Sequence, residues 1–294
     1  MRRSMLFLPG NAPNMLINAA YLGADAVIFD LEDAVSPAEK DAARMLIRNT
    51  MRYMELDNQE CIVRINAIDT EFWQADLDAI LPERPDMILL PKAGRPEDVL
   101  TVDAYITKRE QILGIEAGSI GIMALIETAV GVENAYAVAS CSKRVKALLL
   151  GAEDLTADLQ CIRTKAGREI EYARGRVVVA ARAAGIEVYD TPFTDVNDDE
   201  GIITDSTFAK SLGFTGKASI SPRHIEVINS IFSPSQAEID YAYEVMDAIA
   251  LAKEQGKGAI ALRGKMIDAP IVARAERTIA AAKTLGIHRS GTNE

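Results

Sequence analysis

The sequence predicts a closed (β/α)8 TIM barrel with a C-terminal helical extension, and three observations carry that expectation. Short apolar runs rich in β-branched residues begin near positions 4, 26, 61, 87, 120, 147, 186 and 217, with helically spaced segments between them. The runs are apolar on both faces, as parallel strands covered by helices are. Most of them end in polar or charged residues, which a barrel collects on one rim, where its active sites are built. An open doubly wound sheet is the alternative, but no G-x-G-x-x-G follows the first run.

In chain order, "SMLFLP" reads as the first strand and stops at Pro9-Gly10. "AVIFDLED" is the second and ends in Asp30, Glu32 and Asp33; "AARMLIRNTMRYM" after it has helical spacing. "CIVRIN" carries Arg64 and Asn66, "MILLPK" ends in Lys92, and "IGIMALIET" ends in Glu127 and Thr128. "ALLLGAED" ends in Glu153 and Asp154, and the helical "GRVVVAARAAG" leads to "IEVYDTPF", with Asp190 and Thr191 at its end. "KASISPR" is the eighth strand. From about residue 235 the pattern changes to a helix, "EQGKGAIALRGKMIDAP", and a helix rich in alanine and arginine. The expected division is therefore a catalytic barrel over residues 1–233 and a helical extension and lid over 234–294.

With 49% hydrophobic and 26% charged residues the chain has an ordinary globular composition, not a disordered or fibrous one. A formal net charge of −11 repels a phosphate backbone, so nucleic acid is not an expected partner. The apolar run after Arg2 and Arg3 is too short for a secretion signal or a membrane span, and Cys61, Cys141 and Cys161 form no C-x-x-C pair. The expected setting is cytoplasmic, with no membrane.

So many acids on one rim repel one another unless a cation joins them. Oxygen ligands in a chain with two histidines, neither beside the acids, favour Mg2+ or a similar hard cation over zinc. Each residue also has a plainer reading. Glu127-Thr128 and "GAEDLT" both read as capped or acidic helix starts, and His224 after "SPR" as helix-start chemistry. Lys92 is either a Schiff-base lysine or the partner of a rim acid. Arg64 within an apolar run needs partners, and its fork suits a carboxylate.

Taken together, "RRSMLFLPGN", "ADAVIFDLEDAVSPAEKDAAR", "VRINAIDTEFWQADL", "ILLPKAG", "ALIETAVGV", "LLLGAEDL", "DTPFTDVND", "GFTGKASISPRHIEVIN" and "GKMIDAP" resemble the citrate lyase β-subunit family. That family lies within the Mg2+-dependent malyl-CoA and citramalyl-CoA lyases of the HpcH/HpaI aldolase superfamily. The resemblance covers essentially the whole chain. It implies cleavage of a carbon–carbon bond next to a thioester, with Glu127 and Asp154 as Mg2+ ligands and Glu32 and Asp33 near the metal through water. It implies that Arg64 grips the carboxylate of the keto-acid half and that Arg3 lies near the thioester carrier; Lys92, read from the residues as a rim acid's partner, is expected beside the metal site. Asp268 matches a lid aspartate delivered to a neighbouring subunit, where it moves the proton. A homo-oligomer, a trimer in relatives, follows from that delivery. "NAPNMLINAA" lacks the lysine that coenzyme-A-using relatives place before the alanine, which points to a phosphopantetheine arm on an acyl carrier subunit, alongside a transferase subunit. The expected reaction takes a citryl thioester to oxaloacetate and an acetyl thioester. Citramalyl-CoA or malyl-CoA cleavage, and a non-catalytic scaffold subunit, are the alternatives.

Overall fold

The computed structural model describes residues 2–54, 56, 59–254 and 260–291, and its first compact unit, Arg2–Ser230, is the barrel. Its strands are β1 (Ser4–Pro9), β2 (Ala26–Asp30), β3 (Glu60–Arg64), β4 (Met87–Leu90), β5 (Gly121–Ile126), β6 (Val145–Leu150), β7 (Glu187–Asp190) and β8 (Gly216–Ser219). All are parallel to their neighbours, and β1 closes on β8 with Met5 opposite Ala218. The fold class and the strand starts agree with the sequence reading to within two residues or so.

The two-residue period of a strand decides which side chains fill the barrel. Met5, Ala26, Ile28, Ile62, Met87, Leu89, Met123, Leu125, Ala147, Leu149, Tyr189 and Ala218 form one buried interior cluster. The intervening residues, such as Leu6, Val27 and Val63, are buried under the helices instead. Helix Lys40–Tyr53 buries Ala43, Ile47 and Thr50 at near-helical spacing. Helices Glu171–Ala184 and Asp199–Leu212 end on Gly185 (φ 72°) and Gly213 (φ 103°), whose left-handed backbone turns the chain into the next strand.

At the N-terminal mouth Arg2 pairs with Glu60 and Glu187, the first residues of β3 and β7, and donates to the Tyr189 hydroxyl at 3.0 Å. Arg174 and Lys217 are fully buried with Asp190 and Asp205, at 2.6–2.9 Å. Neighbouring β7 and β8 positions Tyr189 and Ala218 fill the interior, so Asp190 and Lys217 face the helices. Asp190 was expected at the rim pocket; strand parity turns it outward.

The second unit, Ile231–Glu294, holds helix Gln236–Glu254, the antiparallel strands β9 (Ile260–Leu262) and β10 (Lys265–Ile267), and helix Ala269–Thr284. Residues 255–259 of the predicted "EQGKGAIALRGKMIDAP" segment lie outside the described residues. Arg263 (φ 49°) and Gly264 (φ 75°) turn this hairpin with two left-handed residues, the geometry that matches strand twist. Ala242, Val245, Ile267 and Ala275 form the unit's core. Among the described residues no helix is long and apolar enough to cross a membrane.

Candidate active site at the C-terminal end of the barrel

Two residues beyond the interior core, strand parity brings a different set of side chains inward. Ile28 leads to Asp30, Ile62 to Arg64, Leu125 to Glu127 and Leu149 to Gly151. These four border a cavity of 440 Å³, together with Phe7, Met15, Asp33, Asp154, Thr191 and Ile220 among others. The cavity has apolar walls, and among its lining residues Arg64 is the one cationic side chain.

Parallel pairing sets Asp30 directly opposite Arg64. Arg64 donates Nε to Asp30 Oδ1 (2.7 Å) and Nη2 to Asp30 Oδ2 (2.6 Å), a fork-to-fork pair. Its Nη1 reaches Glu32 Oε2 at 2.9 Å and Asp33 Oδ2 at 3.3 Å, and its Cζ lies 5.2 Å from the Phe7 ring centroid. Burial works against the guanidinium charge, but the Asp30 hydrogen bonds and the surrounding acids more than offset it and hold the pKa above its ordinary value. Lys40 steadies the turn after β2, donating to the Leu31 (2.7 Å) and Glu32 (2.6 Å) carbonyls.

Glu127 is 3% exposed, and burial, then the charges of Glu32 and Asp154, push its carboxyl up to about 8. The Lys92 amide donates to Glu127 Oε1 at 2.7 Å. On the other side Gly151 leaves room for it, since a Cβ there would stand 2.7 Å from Glu127 Oε2. Glu32 is likewise buried and pushed up to about 7, chiefly by burial, and neither of its carboxylate oxygens has a hydrogen-bond partner despite the Arg64 ion pair. Lys92 Nζ is 3.5 Å from Glu32 Oε1; burial lowers the ammonium pKa, but Glu32 and the other acids raise it overall. A Schiff-base lysine needs the opposite shift, so the ion-pair reading of Lys92 holds.

Both helix-start readings are partly right. Thr128 caps helix Ala129–Ser140, accepting from Gly131 N at 3.0 Å, while Glu127 points into the barrel. Gly151 gives helix Ala152–Asp158 no side-chain cap of its own, Thr191 Oγ1 accepts from Ala152 N at 3.0 Å instead, and Glu153 and Asp154 occupy the first turn. Both line the cavity, but Glu153 is exposed and lies 3.7 Å from Arg163 Nε, whereas Asp154 is half-buried.

Paired acids with raised pKa values and orphaned buried oxygens are what a carboxylate site for a hard cation looks like with its compensating charge removed. Among the described residues no three acids, histidines or cysteines converge as a closed ligand set. Mg2+ does not need one, since it takes one or two carboxylates and keeps water or substrate oxygens. His224 lies buried in the turn Pro222–His224 and His288 is exposed in the other unit, which leaves an oxygen-only donor set. The donors present therefore fit Mg2+.

Three predicted residues are placed elsewhere. Arg3 precedes β1 at the barrel end opposite the cavity and grips Asp25 through Nε (2.8 Å) and Nη2 (2.7 Å), so the expectation that it meets a thioester carrier at the site is corrected. Asn66 donates to Asp76 at 2.7 Å. Asp268, in the second unit, is exposed and caps helix Ala269–Thr284, accepting from Ile271 N at 3.2 Å. Sequence reasoning named Asp30 only as one of the rim acids of "DLED" and gave Gly151 no role; counting inward positions two by two from Ile28 and Leu149 singles out both.

The model of the HpcH/HpaI aldolase/citrate lyase family matches residues 3–222. The citrate lyase subunit beta of Leuconostoc mesenteroides subsp. cremoris is 42% identical, over 95% of this chain and 92% of its own. The L-malyl-CoA/beta-methylmalyl-CoA lyase of Rhodobacter capsulatus is 33% identical, over 94% and 93%. The structure of CitE from Mycobacterium tuberculosis in complex with magnesium, acetoacetate and coenzyme A superposes with a TM-score of 0.77 at 30% identity, over 96% of this chain and 98% of that one.

Proposed function

This chain belongs to the HpcH/HpaI aldolase/citrate lyase family and is a lyase, and we propose that it cleaves a citryl thioester to oxaloacetate and an acetyl thioester with Mg2+. The observation that carries the reading is the grouping of Glu127 and Asp154 with a forked Arg64 at one cavity, with Glu32 buried behind them against Arg64 Nη1. Glu127 and Asp154 hold the cation, with Glu32 and Asp33 close by. Bound there, Mg2+ lowers the pKa of the substrate hydroxyl and stabilises the forming ketone oxygen as a Lewis acid.

Arg64 neutralises the carboxylate beside that hydroxyl, and the Asp30 fork and the Phe7 ring fix its plane so that little orientation is lost on binding. The hydroxyl proton passes to solvent, the electron pair of the breaking carbon–carbon bond becomes the thioester enolate, and one proton added to the terminal carbon completes the acetyl thioester, its donor being recharged from solvent. Asp268, from a neighbouring copy in a trimer, supplies that proton. The thioester is carried by the phosphopantetheine arm of an acyl carrier subunit in a cytoplasmic complex with a transferase subunit.

Citramalyl-CoA or malyl-CoA cleavage is the second reading. The single cationic side chain lining the cavity favours it, since pyruvate and glyoxylate carry one carboxylate where oxaloacetate carries two. A scaffold role does not accord with the intact acid and arginine set. Asp268→Asn tests the proton assignment: turnover falls at least about 100-fold, the usual weight of a general acid, with Mg2+ binding intact. Wild-type turnover in a folded, metal-binding Asp268→Asn protein overturns it.

A further inference from the structure

Four described residues other than glycine have positive φ, and one of them, Lys92, stands at the active site with φ 51°. A left-handed backbone at a residue with a Cβ is a strain that surrounding structure must hold, and such strain concentrates where function needs it. Lys92 has a side chain that is 44% exposed and makes one loose ion pair, Nζ standing 3.5 Å from Glu32 Oε1. Its main chain does more: the amide donates to Glu127 Oε1 at 2.7 Å. Glu127 is thus held by the Lys92 amide on Oε1, while Oε2 lies over Gly151, where a Cβ would stand 2.7 Å away.

We infer that Lys92 is a positioning residue that acts through its backbone: its left-handed conformation aims the amide at Glu127 Oε1 and leaves Oε2 to meet the cation. The inference rests on the proposed reading of Glu127 as a cation ligand. It places the requirement at position 92 on conformation and not on charge. Glycine adopts that conformation freely, an unbranched side chain adopts it as lysine does, and a β-branched one resists it.

The test measures Mn2+ affinity in the absence of substrate, by the free-ion electron paramagnetic resonance signal, together with thermal unfolding midpoints, for the wild type, Lys92→Gly, Lys92→Met and Lys92→Val. The expected result is Mn2+ affinity within about threefold of wild type, or tighter, for the glycine and methionine variants, and at least about tenfold weaker for the valine variant, as for lost supporting hydrogen bonds around a metal. Loss of affinity in Lys92→Met with retention in Lys92→Val assigns the role to the ammonium and overturns the inference, as does tenfold loss in Lys92→Gly. Wild-type affinity in a folded valine variant also overturns it, and if valine does not fold, Lys92→Thr, likewise β-branched, carries the same comparison. If the wild type binds no Mn2+, the cation reading fails by itself. The midpoints then judge the backbone strain separately, with glycine at or above wild type and valine below it.

Discussion

Raising the pH from 6 to 8 ionises Glu127 in the metal-free protein, because burial beside Glu32 and Asp154 has pushed its carboxyl up to about 8. A cation ligand must be deprotonated, so a bound cation displaces that proton and affinity follows the ionised fraction. That fraction is about 1% at pH 6, about 9% at pH 7 and about half at pH 8, so Mn2+ affinity rises about 50-fold over those two units and less than about twofold from pH 8 to 10. Glu32, pushed up to about 7, steepens the rise if it too must ionise. Calorimetric titration at pH 7 in buffers of different ionisation enthalpy counts the protons directly, and about one per Mn2+ is expected from Glu127 alone. Folding stability changes with the same protons. Both carboxyls bind a proton more tightly folded than unfolded, so their contribution is complete below about 4.5 and is lost as pH rises through about 7 and 8. The metal-free protein therefore melts lower at pH 8.5 than at pH 6, and added Mn2+ removes the difference. Affinity independent of pH, with no proton release, refutes the assignment of Glu127.

Arg64→Lys keeps the charge but loses the fork, so kcat/KM falls about 30- to 150-fold, the weight of a charge-assisted bidentate pair of about 2–3 kcal/mol, in steady-state assays. Gly151→Ala drives a methyl against Glu127 and weakens Mn2+ binding at least about tenfold by calorimetry, while Gly185→Ala, remote from the cavity, leaves Mn2+ affinity alone. Lys217→Met strands Asp190 and Asp205 beside Arg174 and lowers unfolding free energy by about 3–5 kcal/mol in urea titrations, without moving a cavity residue.

The barrel was legible because parallel strands buried on both faces leave uninterrupted apolar runs, which "AVIFD" and "ALLL" display. Arg64, Glu127 and Asp154 were legible as charges breaking those runs at their C-terminal ends. Asp190 misled for the same reason: it ends a run too, but on the outward parity, where Arg174 and Lys217 meet it. The Asp30–Arg64 fork depends on register between β2 and β3, and no local pattern states a register. The left-handed turn at Lys92 was invisible because sequence marks such turns with glycine or asparagine, and here a lysine is held in one by its surroundings. Arg3 shows the converse error: a charge beside the first strand lies at its N-terminal end, facing Asp25.

The most direct test of the account is mass-resolved turnover of citryl, citramalyl and malyl thioesters, each on coenzyme A and on an acyl carrier protein, with Mg2+ and with the metal chelated. The account predicts oxaloacetate and an acetyl thioester from the citryl substrate, faster on the carrier protein, and none after chelation. Release of pyruvate or glyoxylate in preference, or citryl cleavage that survives chelation, contradicts it.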